Sequence, residues 1–577
     1  MKLHQQYLLL HTRFGDMTEH EATLSELAEL LDCTHRNTLT IVKKMAACDW
    51  IRWISQRGRG RRSTLTLLVP AEQIAAEYMM QALNRRELHQ AAEQVRAFST
   101  STMMREHLNH WLLGYSGHHT EAGEHNERID TLRLPLQQQL HALDPLYINL
   151  LAESFVTSHV FDGLVQRNEQ GDIVPCLAHT WDVSPDRKTW LFHLRKGVLF
   201  HNGGRLTAGD VVHTFARLQA TERRTLYRDV SRQILSVEAL NSLTVVFRLK
   251  APHELFLSFL ATSRAVIVPS DSTMKPGDDK SVEPESMSKP VGTGPFKVTL
   301  WDEHLCRLEA FPAYFQGRAH LDRVDILQIP WSAETEWGEH GEAETPFFHL
   351  VPNPAAAKGA DWIQISAGVM VNKLLTCNTQ KTGPLSDPAI RTHLYDCISG
   401  VIQSSENPLV KDQSIPLQLA TIPQYRKDAA MIAAKLEQCG YACKIHIATM
   451  EQFKGPLRME SDLILFSLIR DRDEELRRTD LYLTLSEHLD EPTQCRVQMM
   501  LQTVIESPLM TDRITGLDRI EQFLLDHHLM FHLSEKPVET AYLPSVRGLS
   551  FNSQGWVNLR HIWFPQPDTS INDTGLI

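Results

Sequence analysis

Apolar positions in the first seventy residues recur at helical spacing, and two of the runs open at a threonine placed to cap them. Leu3, Tyr7, Leu10 and Phe14 predict a first amphipathic helix. Thr23 and Glu26 have the spacing of a capping box, and Leu24, Leu27, Ala28 and Leu31 behind them form one stripe. Asp32-Cys33 interrupts that stripe, and Thr34 is placed to cap a second helix. In it Leu39, Val42 and Met45 are expected to face inward, with Arg36, Asn37, Thr40, Lys43 and Lys44 on the free face. Ile51–Ile54 and Thr64–Leu67 have strand composition and flank QRGRGRRS, where Gly58 and Gly60 allow a hairpin tip. Two short helices, a tight turn and a hairpin predict a winged helix-turn-helix over residues 1–70.

Helical stripes continue through residues 71–115: Ile74, Tyr78 and Leu83, then Leu88, Ala92, Val95 and Phe98, then Met104, Leu108, Trp111 and Leu112. Residues 116–130, within GYSGHHTEAGEHNE and just after it, read as a linker. From Thr131 the pattern changes. Trp190, Phe192 and Leu194 alternate, as do Leu243, Val245, Phe247 and Leu249. Thr207 and Asp210 open a helix carrying Val211, Val212, Phe215 and Leu218. Alternating strands and helices over more than four hundred residues predict mixed α/β lobes across 131–565, followed by a disordered tail at 566–577.

Composition narrows the class. The chain has 577 residues, of which 42% are hydrophobic and 22% charged, with 28 Gly and 28 Pro, so it is globular and multidomain. Its net charge of −12 argues against a protein that coats nucleic acid along its whole length. Residues 34–63 depart from that average. Arg36, Lys43, Lys44, Arg52, Arg57, Arg59, Arg61 and Arg62 stand against Asp49 alone, a local balance of +7. Such a cluster is what phosphate contacts with duplex DNA require.

Roles divide by position. Arg36 and Asn37, at the start of the second helix, suit base edges, since Arg pairs with guanine and Asn with adenine. Thr40 lies beside them. Lys43, Lys44, Arg57, Arg59, Arg61 and Arg62 suit phosphates. The plainer alternative is a solvated basic face on a small helical domain, but helix spacing, turn, hairpin and charge agree on double-stranded DNA.

Other chemistry is weaker. The nine cysteines have no zinc spacing and read as reduced core thiols. His118, His119 and His125 with Glu121 and Glu124 suggest a metal cluster only superficially, because a Gly/Ser/His linker has the same composition; no metal or cofactor is expected. The segment MKLHQQYLLLHTRFGDM is broken by Gln5, Gln6, His11 and Arg13. No run approaches the roughly 20 apolar residues of a membrane span, so a cytoplasmic protein without membrane association is expected. No P-loop, GxSxG elbow or HExxH motif occurs, and His193 and His201 read as structural, so no enzyme and no catalytic residue is expected. Gly292-Thr293-Gly294-Pro295 reads as a tight turn rather than a phosphate cradle. Trp181, Trp190, Trp301, Trp331, Trp337, Trp362, Trp556 and Trp563 read mostly as core, with some available to stack on a sugar. Asn378 and Arg391 are weak candidates for a ligand cleft, and no cleft residue is assigned. The acidic run Glu334–Glu344 reads as a solvated loop.

The later blocks carry a resemblance. LHALDP, then HVFDGLVQRNEQGDIVPCLAHTWDVSPDRKTWLFHLRKGVLFHNGGRLTAGDVVHTF, KPVGTGPFKV, AYFQGRAHLDRVDILQIP and TGPLSDPAIRTHLYDCI resemble, in order, the bacterial solute-binding proteins of the peptide/nickel class. The likeness covers roughly residues 130–565 and implies a two-lobed α/β periplasmic-binding-protein-like domain of class II, peptide-binding type, closing on a ligand. An export signal and lipid-anchored cysteine, usual in that class, are missing, and a winged helix stands in their place. The combination, including LAELL and GRGRR, resembles the SgrR-like transcriptional regulators. That resemblance implies a cytoplasmic activator sensing a small solute, a sugar phosphate or a peptide. The competing expectation is a cytosolic solute- or peptide-binding protein linked to an ABC transporter, with an incidental basic segment; a cleft enzyme is the second rival. Oligomeric state and target promoter are not written in the sequence.

Overall fold

The computed structural model describes principally residues 3–15, 19–56, 62–84, 117–122, 127–136, 142–148, 151–221, 225–271, 289–328, 363–400, 415–449, 457–470, 474–542, 546–551 and 557–565. The chain divides into two compact units, the first built mainly from residues 1–117 and the second from most of the remainder.

The first unit opens with α1 (Leu3–Phe14), followed by β1 (Glu19–Ala22), α2 (Leu24–Leu30), α3 (His35–Ala47), β2 (Ile51–Ile54), β3 (Ser63–Leu67) and α4 (Ala71–Asn84). The capping box forms: Thr23 Oγ1 accepts from Glu26 N at 3.2 Å, and Glu26 Oε2 accepts from Thr23 N at 2.8 Å. Asp32, in the left-handed region at φ 47°, makes the turn between α2 and α3. The three strands form an antiparallel sheet in the order β1-β3-β2. A single core joins helices and sheet through Tyr7, Leu10, Leu27, Leu31, Ile41, Val42, Met45, Trp50, Leu65 and Ile74. Tyr7 Oη donates to Val69 O at 2.5 Å and so ties α1 to the chain leaving the sheet. Along α4, Ile74, Tyr78 and Leu83 are buried. The stripes of Leu88, Ala92, Val95 and Phe98, and of Met104, Leu108, Trp111 and Leu112, lie outside the described residues.

One expectation for α3 fails. Leu39 is 36% exposed, and the buried stripe is Thr38, Ile41, Val42 and Met45. A threonine takes the core position because its hydroxyl is satisfied locally. It donates to Thr34 O at 3.1 Å and lies 3.3 Å from Cys33 Sγ, so its burial carries no orphaned polar group.

The second unit has two lobes. The first lobe holds β4 (Gly117–Ala122), β5 (Arg128–Leu136), α5 (Leu151–Val160), β6 (Val165–Arg167), β7 (Ile173–Pro175), β8 (Ala178–Val183), β9 (Thr189–Leu194), α6 (Ala208–Ala220), α7 (Arg228–Arg232), β10 (Ile234–Asn241), β11 (Thr244–Leu249), α8 (Phe256–Leu260), β12 (Phe296–Trp301), β13 (Leu305–Ala310) and β14 (Arg323–Gln328). Its larger strands form two sheets, β10-β11-β9-β8 and β12-β13-β14-β5-β4. The core of the first sheet is aromatic, with Phe192, Phe215, Phe247 and Phe256 in edge-to-face pairs. The predicted alternation over Trp190–Leu194 and the helix opened by Thr207 and Asp210 form; in the second predicted strand Val245, Phe247 and Leu249 are buried, but so is Val246, and Leu243 precedes the strand.

The stretch expected to be a linker contains β4, an edge strand. Cross-strand contacts hold it: His118 Nε2 meets Asp130 Oδ1 at 2.8 Å, and Glu121 pairs with Arg133 at 2.7 Å and Arg323 at 3.2 Å. A polar edge strand and a polar linker share a composition, which is why sequence does not separate the two. His118 and Glu121 are thus engaged, His125 and Glu124 lie outside the described residues, and among the described residues no three potential metal ligands converge.

In the second lobe run β15 (Ile363–Cys377), α9 (Pro388–Ser399), β16 (Ile415–Thr421), α10 (Arg426–Gln438), β17 (Tyr441–Ile447), β18 (Leu463–Arg470), α11 (Glu474–Ser486), α12 (Glu491–Glu506), α13 (Met510–Asp526) and β19 (Met530–Tyr542). The mixed sheet β17-β16-β18-β15-β19 is covered on both faces. Leu375 packs with α9 and α10, whereas its neighbour Leu374 packs with α11, α12 and α13, as the strand period of two requires. Among the described residues no helix is long and apolar enough to cross a membrane.

Candidate nucleic-acid interface

The residues that make α3 a helix also fix what it presents. Thr34 stands at the N-cap in extended conformation, and its Oγ1 accepts from Asn37 N at 3.4 Å. Arg36, Asn37, Thr40, Lys43 and Lys44 are all exposed. At about 100° per residue they cover an arc of about 120°, opposite the buried Thr38, Ile41, Val42 and Met45. The exposed polar face is therefore a direct consequence of the packing face. Thr40 Oγ1 donates to Arg36 O at 3.0 Å, so its hydroxyl oxygen remains an acceptor for an outside group. No acidic residue lies in the first turn of α3, which leaves the positive end of the helix dipole uncompensated and favourable to a phosphate.

Cap loss has a defined cost here. Thr34→Ala is expected to destabilise the first unit by about 1 kcal/mol. Backbone amide exchange within α3 of the full chain reads this, and unchanged protection there would contradict the cap's role.

The hairpin contributes less that can be placed. Arg57, Arg59 and Arg61 lie outside the described residues. Arg62, expected to grip phosphate, is near Glu26 at 3.6 Å, with both side chains about half exposed. Such a surface pair is worth little and exchanges readily for another anion. Arg52, on β2, is also exposed, although sequence reasoning gives it no role beyond its charge; its outward position on an alternating strand is the signal that could have marked it.

In the second unit the two weak cleft candidates are both buried and bonded to backbone carbonyls. Asn378 is buried, donating from Nδ2 to Met459 O at 2.8 Å and Ser461 O at 2.9 Å. Arg391, also buried, donates to His527 O at 3.1 Å and Leu385 O at 2.8 Å. Trp190 is core and Trp563 is 43% exposed; Trp331, Trp337, Trp362, Trp556 and Glu334–Glu344 lie outside the described residues. The Gly292-Thr293-Gly294 turn presses on the end of α5. Gly294 N donates to Val160 O at 2.9 Å, and His201 spans the turn, accepting at Nδ1 from Gly292 N at 3.3 Å and donating from Nε2 to Gly294 O at 2.9 Å.

Beneath that turn lies a buried polar centre that sequence reasoning misses. Asp162 accepts from Thr293 Oγ1 at 2.9 Å, from Tyr314 Oη at 3.1 Å and from Cys176 Sγ at 3.8 Å. Burial pushes its carboxyl up to about 6 against the pull of those donors. His159, on the adjacent turn of α5, donates from Nδ1 to Phe155 O at 2.9 Å and accepts at Nε2 from Leu559 N at 3.1 Å. Arg560 follows at once, donating to Gln316 Oε1 at 2.7 Å, so the returning C-terminal segment is stitched into the first lobe.

Comparisons with known proteins agree with this division. Residues 2–121 match the family described as "Sugar transport-related sRNA regulator N-term", and residues 172–394 match "Bacterial extracellular solute-binding proteins, family 5 Middle". The HTH-type transcriptional regulator SgrR of Yersinia enterocolitica is 28% identical over 603 residues, covering 98% of this chain and 99% of that one. An uncharacterized protein, YhjP of Bacillus subtilis, is 26% identical, with 98% and 100% covered. Among solved structures, the oligopeptide-binding protein AppA of Bacillus subtilis in complex with a nonapeptide gives a TM-score of 0.60 at 17% identity, covering 76% of this chain and 99% of that one. DppA of Helicobacter pylori with the peptide STSA gives 0.59 at 20% identity, covering 76% and 98%. These likenesses to solved structures establish the two-lobed fold of the second unit.

Proposed function

We propose, for a chain that is SgrR-like in carrying the sRNA-regulator N-terminal domain ahead of a family 5 solute-binding domain, that it is a ligand-responsive transcription regulator acting on duplex DNA. The observation that carries this reading is the α3 face: five polar and basic side chains, all exposed, opposite the stripe that anchors the helix. Arg36 and Asn37 read base edges, with Thr40 beside them. Lys43, Lys44 and Arg62, with the hairpin residues Arg57, Arg59 and Arg61, hold phosphates. Solute binding in the two-lobed unit alters operator affinity, and couplings of about 1–3 kcal/mol amount to roughly 5- to 150-fold. Activation, cytoplasmic residence and a sugar phosphate as solute are the finer parts of the proposal. The peptide-bound solved relatives make a peptide the competing ligand class. Neither reading requires reaction chemistry.

Selection of bound duplexes from a random library by the full-length protein tests the proposal. Sequence enrichment is expected. Alanine at Arg36 and Asn37 should then weaken the enriched site by roughly 5- to 150-fold for each base read and flatten its preference. Alanine at Lys43 and Lys44 should weaken all duplexes alike and reduce the salt slope by about one for each phosphate no longer neutralised. Binding without enrichment, or none, would leave a solute-binding protein linked to a transporter.

A further inference from the structure

Helix α11 belongs to both lobes at once. One side of it is bound to the second lobe. Leu481, Tyr482 and Leu485 lie in the core beneath α12 and α13. The Arg478 guanidinium, almost fully buried, pairs with Glu521 at 2.7 Å and Asp518 at 2.8 Å, both on α13. That combination of apolar burial and paired charge fixes α11 to the lobe from which it springs.

The other side points away. Leu476, 1% exposed, packs in the aromatic core of the first lobe, more than two hundred residues away in sequence. Asp480, one helical turn later on the same face, accepts from the Tyr227 amide at 2.8 Å through Oδ1. Tyr227 is left-handed at φ 61°, a conformation unfavourable for an aromatic residue unless something outside holds it. The same carboxylate adds to the negative surroundings of Arg264, a buried guanidinium that donates to the carbonyls of Pro145 and Leu146 at 3.0 and 3.1 Å. A second bond crosses nearby, Glu254 N donating to Ile505 O at 3.0 Å.

We propose that α11 is a latch between the lobes: anchored in the second, it inserts Leu476 and Asp480 into the first and holds the unit closed. Release of the latch frees Tyr227 from its left-handed backbone, so the N-cap of α7 registers whether the lobes are together. A helix shared between two cores has two discrete states, docked and undocked, which is the requirement for a switch that a solute can bias. The inference rests on the two-lobed fold and not on DNA recognition, so it stands or fails separately from the regulatory reading.

The test uses the full chain without added solute, following backbone amide exchange and the radius of gyration by small-angle scattering. Asp480→Ala is expected to speed exchange at the Tyr227 amide by roughly 10-fold or more and to enlarge the molecule, leaving β15 and β18 protected. Asp480→Asn, which keeps an acceptor oxygen, should lie between that variant and the unaltered chain. Leu476→Ala should open the lobes as well. Unchanged exchange at Tyr227 and unchanged dimensions in Asp480→Ala would overturn the latch. Equal loosening of β15 and β18 would overturn it too, since Asp480 would then support the fold of its own lobe. Asp480→Ala removes no core atom, so the test survives if Leu476→Ala fails to fold.

Discussion

Alanine at Gly292 is expected to destabilise the second unit by on the order of 5 kcal/mol, enough to unfold much of it at growth temperature. A Cβ there would lie 2.0 Å from Val160 O and 2.8 Å from Phe161 Cδ1. The obstruction is backbone at the end of α5, which cannot swing aside like the tip of a flexible side chain. Moving the turn instead would strain the bond from Gly294 N to Val160 O, the His201 bridge and the Thr293 bond to Asp162. Overpacking alone costs about 1–3 kcal/mol. Each buried polar group left without its partner adds about 1–3 kcal/mol. Gly317→Ala is the control: Gly317 has a positive φ of 96° with nothing within 4 Å of an added Cβ, so only backbone strain is introduced. Urea denaturation of the two variants should place Gly292→Ala far below Gly317→Ala, and equal midpoints would refute the close-approach argument.

The same turn shows what can be read from sequence and what cannot. That Gly292-Thr293-Gly294-Pro295 is a turn follows from its residues. Its need for glycine comes from a helix end some 130 positions earlier. Local devices are legible: the Thr23/Glu26 box forms, and Asp210 Oδ2 accepts the Thr207 amide at 2.8 Å to start α6. Elements that exist because a partner exists are not. Glu19–Ala22 is polar and becomes a strand because β3 offers an edge, Glu19 opposite Thr66 and Ala22 opposite Ser63. Leu39 misleads because its hydrophobicity suggests the core, while helical geometry and a locally satisfied threonine decide the position. Asn378 and Arg391 flank the PLSDP block, a place that suits a cleft ligand and an anchor for backbone carbonyls equally well. Arg391 proves an anchor through His527, far away in sequence. The α3 face is legible for the opposite reason: its residues are set by one helix and its cap, with no distant partner required.

Acidification from pH 7.5 to 5 should cost the second unit on the order of 5 kcal/mol, because three histidines are buried in their neutral form. Burial pulls His159, His201 and His253 each down to about 4 from the ordinary 6.5. The unfolded chain therefore binds protons that the folded chain refuses between those values. Their stabilisation is complete above pH 6.5 and is lost progressively as pH falls toward 4. Hydrogen bonding gives the reason at two of the sites. His159 Nε2 accepts from Leu559 N and His201 Nδ1 accepts from Gly292 N, so protonation would set one N–H against another. Asp162 acts in the opposite sense: with its carboxyl raised to about 6, its contribution is present at low pH and lost as pH rises through that value. One carboxyl offsets only part of three imidazoles, so the net slope favours neutral pH. Urea midpoints of the full chain at pH 7.5, 6.5 and 5 measure it, and His159→Gln should flatten the curve by removing one of the titrating groups. A midpoint at pH 5 equal to or above that at pH 7.5 would mean that these imidazoles are not held neutral by the fold.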